Sequence, residues 1–498
     1  YSDTTHEISF DTFTQNFQNG NYESNFSHDI LREIFDGICK EMIYPVPFVR
    51  QLMSNEQLVF TYRFDESKVL ARKLEMKDVF YVVNDMIGSC KQKIFNTFVS
   101  VSFLPNYATI MQSITTGIQT IYSYAAMSYD EETLTLINEY LTSIAILRKI
   151  NFQPTRENIE NSALLIKSAT ANAQYISGLW LVILKEISAY CKFTNDVSFL
   201  KTLISVTTSM SIEQIKEFIA AIVEVSRWEL AEESSRLTMA MELVDLVRWN
   251  SDRPLFIWKD IFVPIADFII ITGSSNNSKV AEAIVDILSQ ITEQTLGLKQ
   301  QKNFCLQHIF LRPFMAIFDQ QKSVVIRKKI INCLFSIIKD HYKVIKSGWD
   351  IVFQCLTLSV MENIECETCI LIAKHVISQN IKFVNLYIVH MIAFISLLVS
   401  SATEEEDAIA GIELLKSLGE KMKPSDSDSW MCLLDSIISC MKCKYQNAAD
   451  LAENTLIRIF ETRRDIPDCA RRILVEKFVS SFFNRASLDS IVSILSTH

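Results

Sequence analysis

Glycine and proline are scarce in this chain of 498 residues, which holds 10 of the first and 9 of the second. All-β folds and nucleotide-binding α/β folds use more of both in their turns, so the shortage favours helices joined by short polar loops. Cations are in deficit too: 48 Lys and Arg face 58 Asp and Glu, for a net charge of −10 and a pI of about 5.4. Nucleic-acid binding is disfavoured, because phosphate recognition needs a basic face. No GxxxxGK[ST] or GxGxxG loop is present, so no bound nucleotide is expected. GxSxG and HExxH are missing as well, and His6, His28, His308, His341, His375, His390 and His498 are scattered. No catalytic residue, metal or cofactor is expected. No secretory or transit pattern opens the chain. It starts at Tyr1 rather than Met and is expected to be part of something longer.

What is abundant is apolar. Hydrophobic residues make up 49% and mean hydropathy is +0.17, which fits helices buried on more than one side. The 12 cysteines lack the tight spacing of a disulfide framework and read as reduced, buried thiols. Two CxxC pairs, Cys366 with Cys369 and Cys440 with Cys443, lie 74 residues apart, too far for a zinc ribbon, and each fits one face of a helix. One run, Phe383 to Val399, approaches the length of a membrane span. Asn385 and His390 interrupt it, so a buried helix is expected there.

Apolar residues recur at helical spacing almost throughout. Ile330, Ile331, Leu334, Phe335, Ile337 and Ile338 form one wide face, with Ser323 placed to cap the helix start. Ile409, Ile412, Leu415, Leu418 and Met422 form another, and the acidic run Glu404 to Asp407 suits its positive end. Polar breaks at Pro105-Asn106, Gln153 to Thr155, Gly273 to Ser278 and Lys423 to Asp426 separate helices of roughly 12 to 18 residues. Helix pairs of about 40 residues without a strict repeat predict an all-α, HEAT/armadillo-like α-solenoid running as one continuous rod. Trp180, Trp258 and Trp349 sit among Ile and Leu and are expected as packing anchors, with a surface role as the alternative.

The phrases Phe310-Leu311-Arg312-Pro313-Phe314, Val325-Ile326-Arg327 and Ile345-Lys346-Ser347-Gly348-Trp349 carry a resemblance. Their order and spacing resemble the second homology block downstream of the Sec7 domain in large Arf guanine-nucleotide exchange factors, more in the manner of the trans-Golgi class than the early-Golgi class. Phe13, Leu31, Ile34, Phe35 and Ile38 resemble the end of a Sec7 domain, with Phe17-Gln18-Asn19 where that family has Asn-Arg-Gly. Ile110 to Tyr190 is similar to the first downstream block, and Glu367 to the C-terminus is similar, more weakly, to the third.

The resemblance implies residues 1–45 as a Sec7 end, 46–77 as a helical linker, and 78–195, 196–360 and 361–498 as three homology regions. It implies Arf-family small GTPases and a Golgi membrane surface as partners, with peripheral attachment from the cytoplasm. A homodimer formed through family regions outside this chain stays open. The family's glutamate finger, whose carboxylate expels Mg²⁺ and phosphate by repulsion, lies in a stretch this chain does not contain. Exchange is therefore expected to reside elsewhere in the full-length protein. A catalytically silent Sec7-related scaffold, or an unrelated HEAT-type transport adaptor, is the alternative. Phe310, Arg312, Phe314, Arg327 and Trp349 are the family-matched candidates for partner contact. For the aromatic three the plain alternative is packing, and for the arginines it is capping or pairing with acids. Arg327-Lys328-Lys329 reads as a solvated helix face or as a contact for anionic lipid.

Overall fold

The computed structural model describes residues 145–472, less 146, 151–152, 175, 233–234, 254–257, 299–305, 380–384, 424–425, 464–465 and 471, together with residue 135 and the dipeptides 8–9 and 59–60. Apart from those two dipeptides, the expected Sec7 end and the linker lie outside the described residues, as do Phe17-Gln18-Asn19 and most of the first homology region. Two compact units result, Tyr1–Trp249 and Asn250–His498. The division falls within the block expected at 196–360. One strand pairing exists among the described residues: Ile8–Ser9 lies antiparallel to Val59–Phe60. Everything else described is helix, turn or connecting segment, so the fold is an all-α array of the HEAT type.

In the first unit, α1 (Arg156–Ala171) starts where the Gln153 to Thr155 break predicts. Thr155 closes a capping box with Asn158, with reciprocal bonds of 3.1 and 3.2 Å. The helices that follow are α2 (Trp180–Thr194), α3 (Ser198–Val206), α4 (Ile212–Ala231), α5 (Thr238–Met241) and α6 (Leu243–Trp249). Helix α2 packs against α1 and α4, with Trp180 edge-on to Phe218 at 5.0 Å.

Two carboxylates are buried on α2 and α4. Glu186 accepts the N–H groups of Leu147 and Arg148, each at 3.0 Å. Glu229 accepts from the Ser188 hydroxyl and, at 2.9 Å, from Met239 N–H, with the Arg236 guanidinium 3.5 Å away. Burial pushes the pKa of both above the ordinary carboxylate range.

The described residues of the second unit include ten helices. They are α7 (Trp258–Gly273), α8 (Ser278–Thr295), α9 (Leu306–Gln320), α10 (Val324–His341), α11 (Trp349–Met361), α12 (Cys366–Ser378), α13 (Ile388–Ser401), α14 (Glu405–Lys421), α15 (Ser427–Cys440) and α16 (Gln446–Thr462). Each helix packs on the next and on the next but one. The odd-numbered helices α7 to α15 therefore line up as one layer, and the even-numbered α8 to α16 as the other. The core between the layers is closed by fully buried Trp258, Trp349 and Trp430.

Helix α13 is the run that resembled a membrane span. It is 14 residues long and buries Met391, Ile392, Ile395 and Leu398 while exposing Val389 and His390. Among the described residues no helix is long and apolar enough to cross a membrane. Helix α10 begins after Ser323 as expected, but the Ser323 hydroxyl makes no capping bond; its backbone carbonyl accepts from Arg327 N–H instead. The acidic run places Glu405, Glu406 and Asp407 in the first turn of α14.

Candidate partner-binding region

The five candidate residues fall on α9, α10 and α11. Phe310 and Phe314 are fully buried on α9, and Trp349 is fully buried at the start of α11. Phe310 meets Phe262 at 4.6 Å and Trp258 at 5.7 Å, both edge-on, which seats α9 against α7. Trp349 stacks on Phe353 at 5.7 Å, meets Tyr342 edge-on at 5.5 Å, and donates its indole N–H to the Ile345 carbonyl at 3.1 Å. These side chains hold helices together and present nothing to solvent. Arg312 is exposed on α9.

Arg327 is half-buried. Its guanidinium lies 5.3 Å from the Phe318 ring centroid and pairs with Glu362 in the turn after α11. Its neighbours are also paired. Lys328 meets Glu365 at 2.9 Å and Lys329 meets Asp286 on α8 at 2.7 Å. The bond to Lys328 is the main cause of a Glu365 pKa below the ordinary carboxylate range. The basic triplet therefore ties α10 to α8 and to the turn entering α12, with each cation compensated. That turn is tight: Asn363 and Glu365 both hold left-handed backbone, at φ 55° and 52°.

Two glutamines that sequence reasoning passed over organise the region. Gln307, 2% exposed, donates its amide to the carbonyls of Leu296 at 3.1 Å and Val344 at 2.8 Å. Its Oε1 accepts from Lys346 N–H at 2.7 Å and Gly348 N–H at 3.2 Å. Gln321, 3% exposed, donates to the carbonyls of Gly273 at 2.8 Å and Ser275 at 3.2 Å and accepts from Ser323 N–H at 3.2 Å. Helix α9 is thus clamped at both ends by a buried amide that satisfies loop backbone groups from neighbouring repeats. The only warning in the sequence was polar residues flanking an apolar helix, which ordinarily reads as solvent-facing.

Gly348 explains the Gly-Trp phrase. Its φ is an ordinary −69°, so space rather than backbone freedom requires glycine. A Cβ there would stand 2.5 Å from Leu311 Cδ1 and 3.3 Å from Gln307 Oε1.

The thiols of the region are packing groups. Burial raises the Cys369 thiol to about 12, raises Cys440 to about 12 and pushes Cys355 higher still. Cys366 shares α12 with Cys369 and is only half-buried. No cluster of three or more metal-ligating side chains suited to an ion occurs among the described residues.

Residues 294–379, which span α9 to α12 and all five candidates, match the family described as "Mon2/Sec7/BIG1-like, HDS", the Sec7-like HDS region. Brefeldin A-inhibited guanine nucleotide-exchange protein 4 of Arabidopsis thaliana is 29% identical over 174 residues, covering 35% of this chain and 10% of that protein. ADP-ribosylation factor guanine nucleotide-exchange factor sec71 of Schizosaccharomyces pombe is 29% identical over 173 residues, covering 34% and 10%. ADP-ribosylation factor guanine nucleotide-exchange factor sec72 of the same yeast is 26% identical over 218 residues, covering 42% and 12%. The matched stretch is about a tenth of the length of these relatives. Among solved structures, Kap121p is similar over 94% of this chain and 50% of its own, at 8% identity and a TM-score of 0.32.

Proposed function

We propose that this chain, which is related to the Sec7-type Arf exchange factors through the HDS region at residues 294–379, is a regulatory and docking part of an Arf-family guanine-nucleotide exchange factor in Golgi vesicle trafficking. Nucleotide exchange belongs, on this reading, to a Sec7 domain of the full-length protein. The helical array is the docking part. It reads a GTP-loaded Arf-family GTPase on the membrane and positions or restrains the exchange domain, peripherally attached at the cytoplasmic face of Golgi or trans-Golgi membranes.

The observation that carries the reading is the coincidence of the HDS match with the helices that Gln307 and Gln321 clamp. The family-matched aromatics there are all buried, and Phe310 seats α9 on α7 while Trp349 meets Tyr342 beyond the end of α10. Close packing of this kind serves a device that holds partners at fixed spacing.

Flotation tests the reading. The chain is mixed with liposomes bearing an Arf-family GTPase loaded with either a non-hydrolysable GTP analogue or GDP. Recruitment at least fivefold stronger with the GTP analogue is expected. Equal recruitment in both states, or none, would remove the GTPase-reading role.

A further inference from the structure

Nine free cysteines lie among the described residues, and four of them form two pairs three residues apart. The two pairs are built differently. Cys440 is the last residue of α15 and Cys443 lies beyond it, its N–H bonded to the Cys440 carbonyl at 2.9 Å. An i→i+3 turn of that kind separates the two Cα atoms by ~6 Å. Cys366 and Cys369 both belong to α12, as its first and fourth residues. Helical winding sets their Cα atoms ~5 Å apart, well inside the ~4.4–6.8 Å that a disulfide spans. The Cβ atoms of such a pair start ~5–6 Å apart and must close to ~4 Å, so the turn has to tighten. It is placed to do so. The N–H groups of Cys366, Glu367 and Thr368 precede the first helical bond, which Cys369 N–H gives to the Glu365 carbonyl at 3.0 Å. The ladder behind that bond is left intact. Cys366 is half-buried, and its Sγ donates to Asn363 Oδ1 at 3.3 Å. Cys369 is fully buried and is a packing group in the reduced protein.

We propose that Cys366 and Cys369 are a redox-active dithiol, oxidised to an intramolecular disulfide by a small-molecule disulfide of the glutathione class. Cys366, the thiol that solvent reaches, attacks one sulfur of the oxidant as its thiolate. The new Sγ–S bond forms as the oxidant's S–S bond breaks, and one glutathione leaves with the proton that Cys366 gave up. Cys369 then loses its proton and attacks Cys366 Sγ, expelling the second glutathione, which takes that proton. Two electrons pass from the dithiol to the oxidant, and excess glutathione reverses both steps. Burial, with the Asp407 and Glu365 carboxylates nearby, holds Cys366 above the ordinary thiol pKa, and burial pushes Cys369 to about 12. The pair is therefore slow: scarce thiolate paces its oxidation, and the rate rises about tenfold per pH unit near neutrality. The same turn joins α12 to α10, through Lys328 with Glu365 at 2.9 Å and Thr368 Oγ1 with Asn332 Oδ1 at 3.4 Å, so oxidation acts on that junction. The proposal stands apart from the exchange-factor reading, because it concerns one turn whatever larger assembly the chain serves.

The test incubates the full chain in glutathione buffers of rising disulfide-to-thiol ratio, blocks the remaining thiols by alkylation, and reads each cysteine by mass spectrometry of the digest. At high ratio Cys366 and Cys369 are expected to be joined, with two hydrogens lost, no glutathione retained, and full reversal by dithiothreitol. Cys369→Ser should instead hold glutathione on Cys366, and Cys366→Ser should leave Cys369 a free thiol. Circular dichroism checks the helicity of both variants. If the buried Cys369→Ser fails to fold, the half-buried Cys366→Ser and the unsubstituted chain still decide the matter. Glutathione retained on Cys366 in the unsubstituted chain, or both thiols still free at the highest ratio, would overturn the proposal. So would a disulfide that forms at Cys440 and Cys443 in preference.

Discussion

Gln307 and Gly348 lock α9 to the start of α11: the Gln307 Oε1 accepts the Gly348 N–H at 3.2 Å, in a space too small for a Cβ at position 348. Gly348→Ala forces Leu311 or Gln307 to move and is expected to cost about 1–3 kcal/mol, the usual range for overpacking. Urea unfolding monitored by helicity measures it. Adding Leu311→Ala, which removes the atom 2.5 Å from the new Cβ, should give a double variant more stable than the two separate losses add up to.

Gln307→Leu keeps the volume and deletes the bonds. The carbonyls of Leu296 and Val344 and the N–H groups of Lys346 and Gly348 each lose a partner. Buried polar groups left unmade cost about 1–3 kcal/mol each, and partial rewetting of the loop limits the total to about 3 kcal/mol. Hydrogen exchange at the Lys346 and Gly348 amides should accelerate well before global unfolding.

The basic triplet divides by burial. Lys329→Ala removes a partly exposed pair with Asp286 and is expected to change stability by less than about 0.5 kcal/mol. Arg327→Ala also strips the contact with Phe318 and is expected to cost about 1–2 kcal/mol. Because all three cations are already paired, Lys328→Ala with Lys329→Ala should leave binding to anionic vesicles within twofold in a sedimentation assay.

Glu242 sets a pH dependence in the first unit. Its Oε2 is buried without a hydrogen-bond partner, and desolvation raises the pKa of the carboxyl above its ordinary 4.5. A raised folded pKa means that the unfolded chain releases this proton first. The stability Glu242 contributes is therefore complete below pH 4.5 and is lost as pH climbs through the folded value. Glu242→Gln abolishes that ionisation. It is expected to stabilise the protein at pH 7 by on the order of 1 kcal/mol, with the advantage gone below pH 4.5. Thermal unfolding from pH 4 to pH 8 reads both ends.

Helices were legible because apolar residues repeat at their period; Ile330, Ile331, Leu334, Ile337 and Ile338 are buried together as that spacing predicts. The breaks at Thr155 and Gly273 to Ser278 were legible from capping and turn residues. The region itself was legible only through the Phe310 to Trp349 phrases, and the HDS match now covers them. Pairings between distant residues were not. Arg327 with Glu362, and Gln321 with Gly273, span 35 and 48 residues, and no local pattern encodes such contacts. The exposure of single apolar residues was hidden for a related reason. Val389 and Met361 read as core by type, and only the stacking of layers leaves them outside.

The most direct test of the regulatory role is the rate of nucleotide release from an Arf-family GTPase on liposomes. A Sec7 domain is assayed joined to this chain and again with residues 78–498 deleted. The account predicts that the deletion changes the rate several-fold and that the chain alone accelerates nothing. A rate unchanged by the deletion, or exchange catalysed by the chain alone, would contradict it.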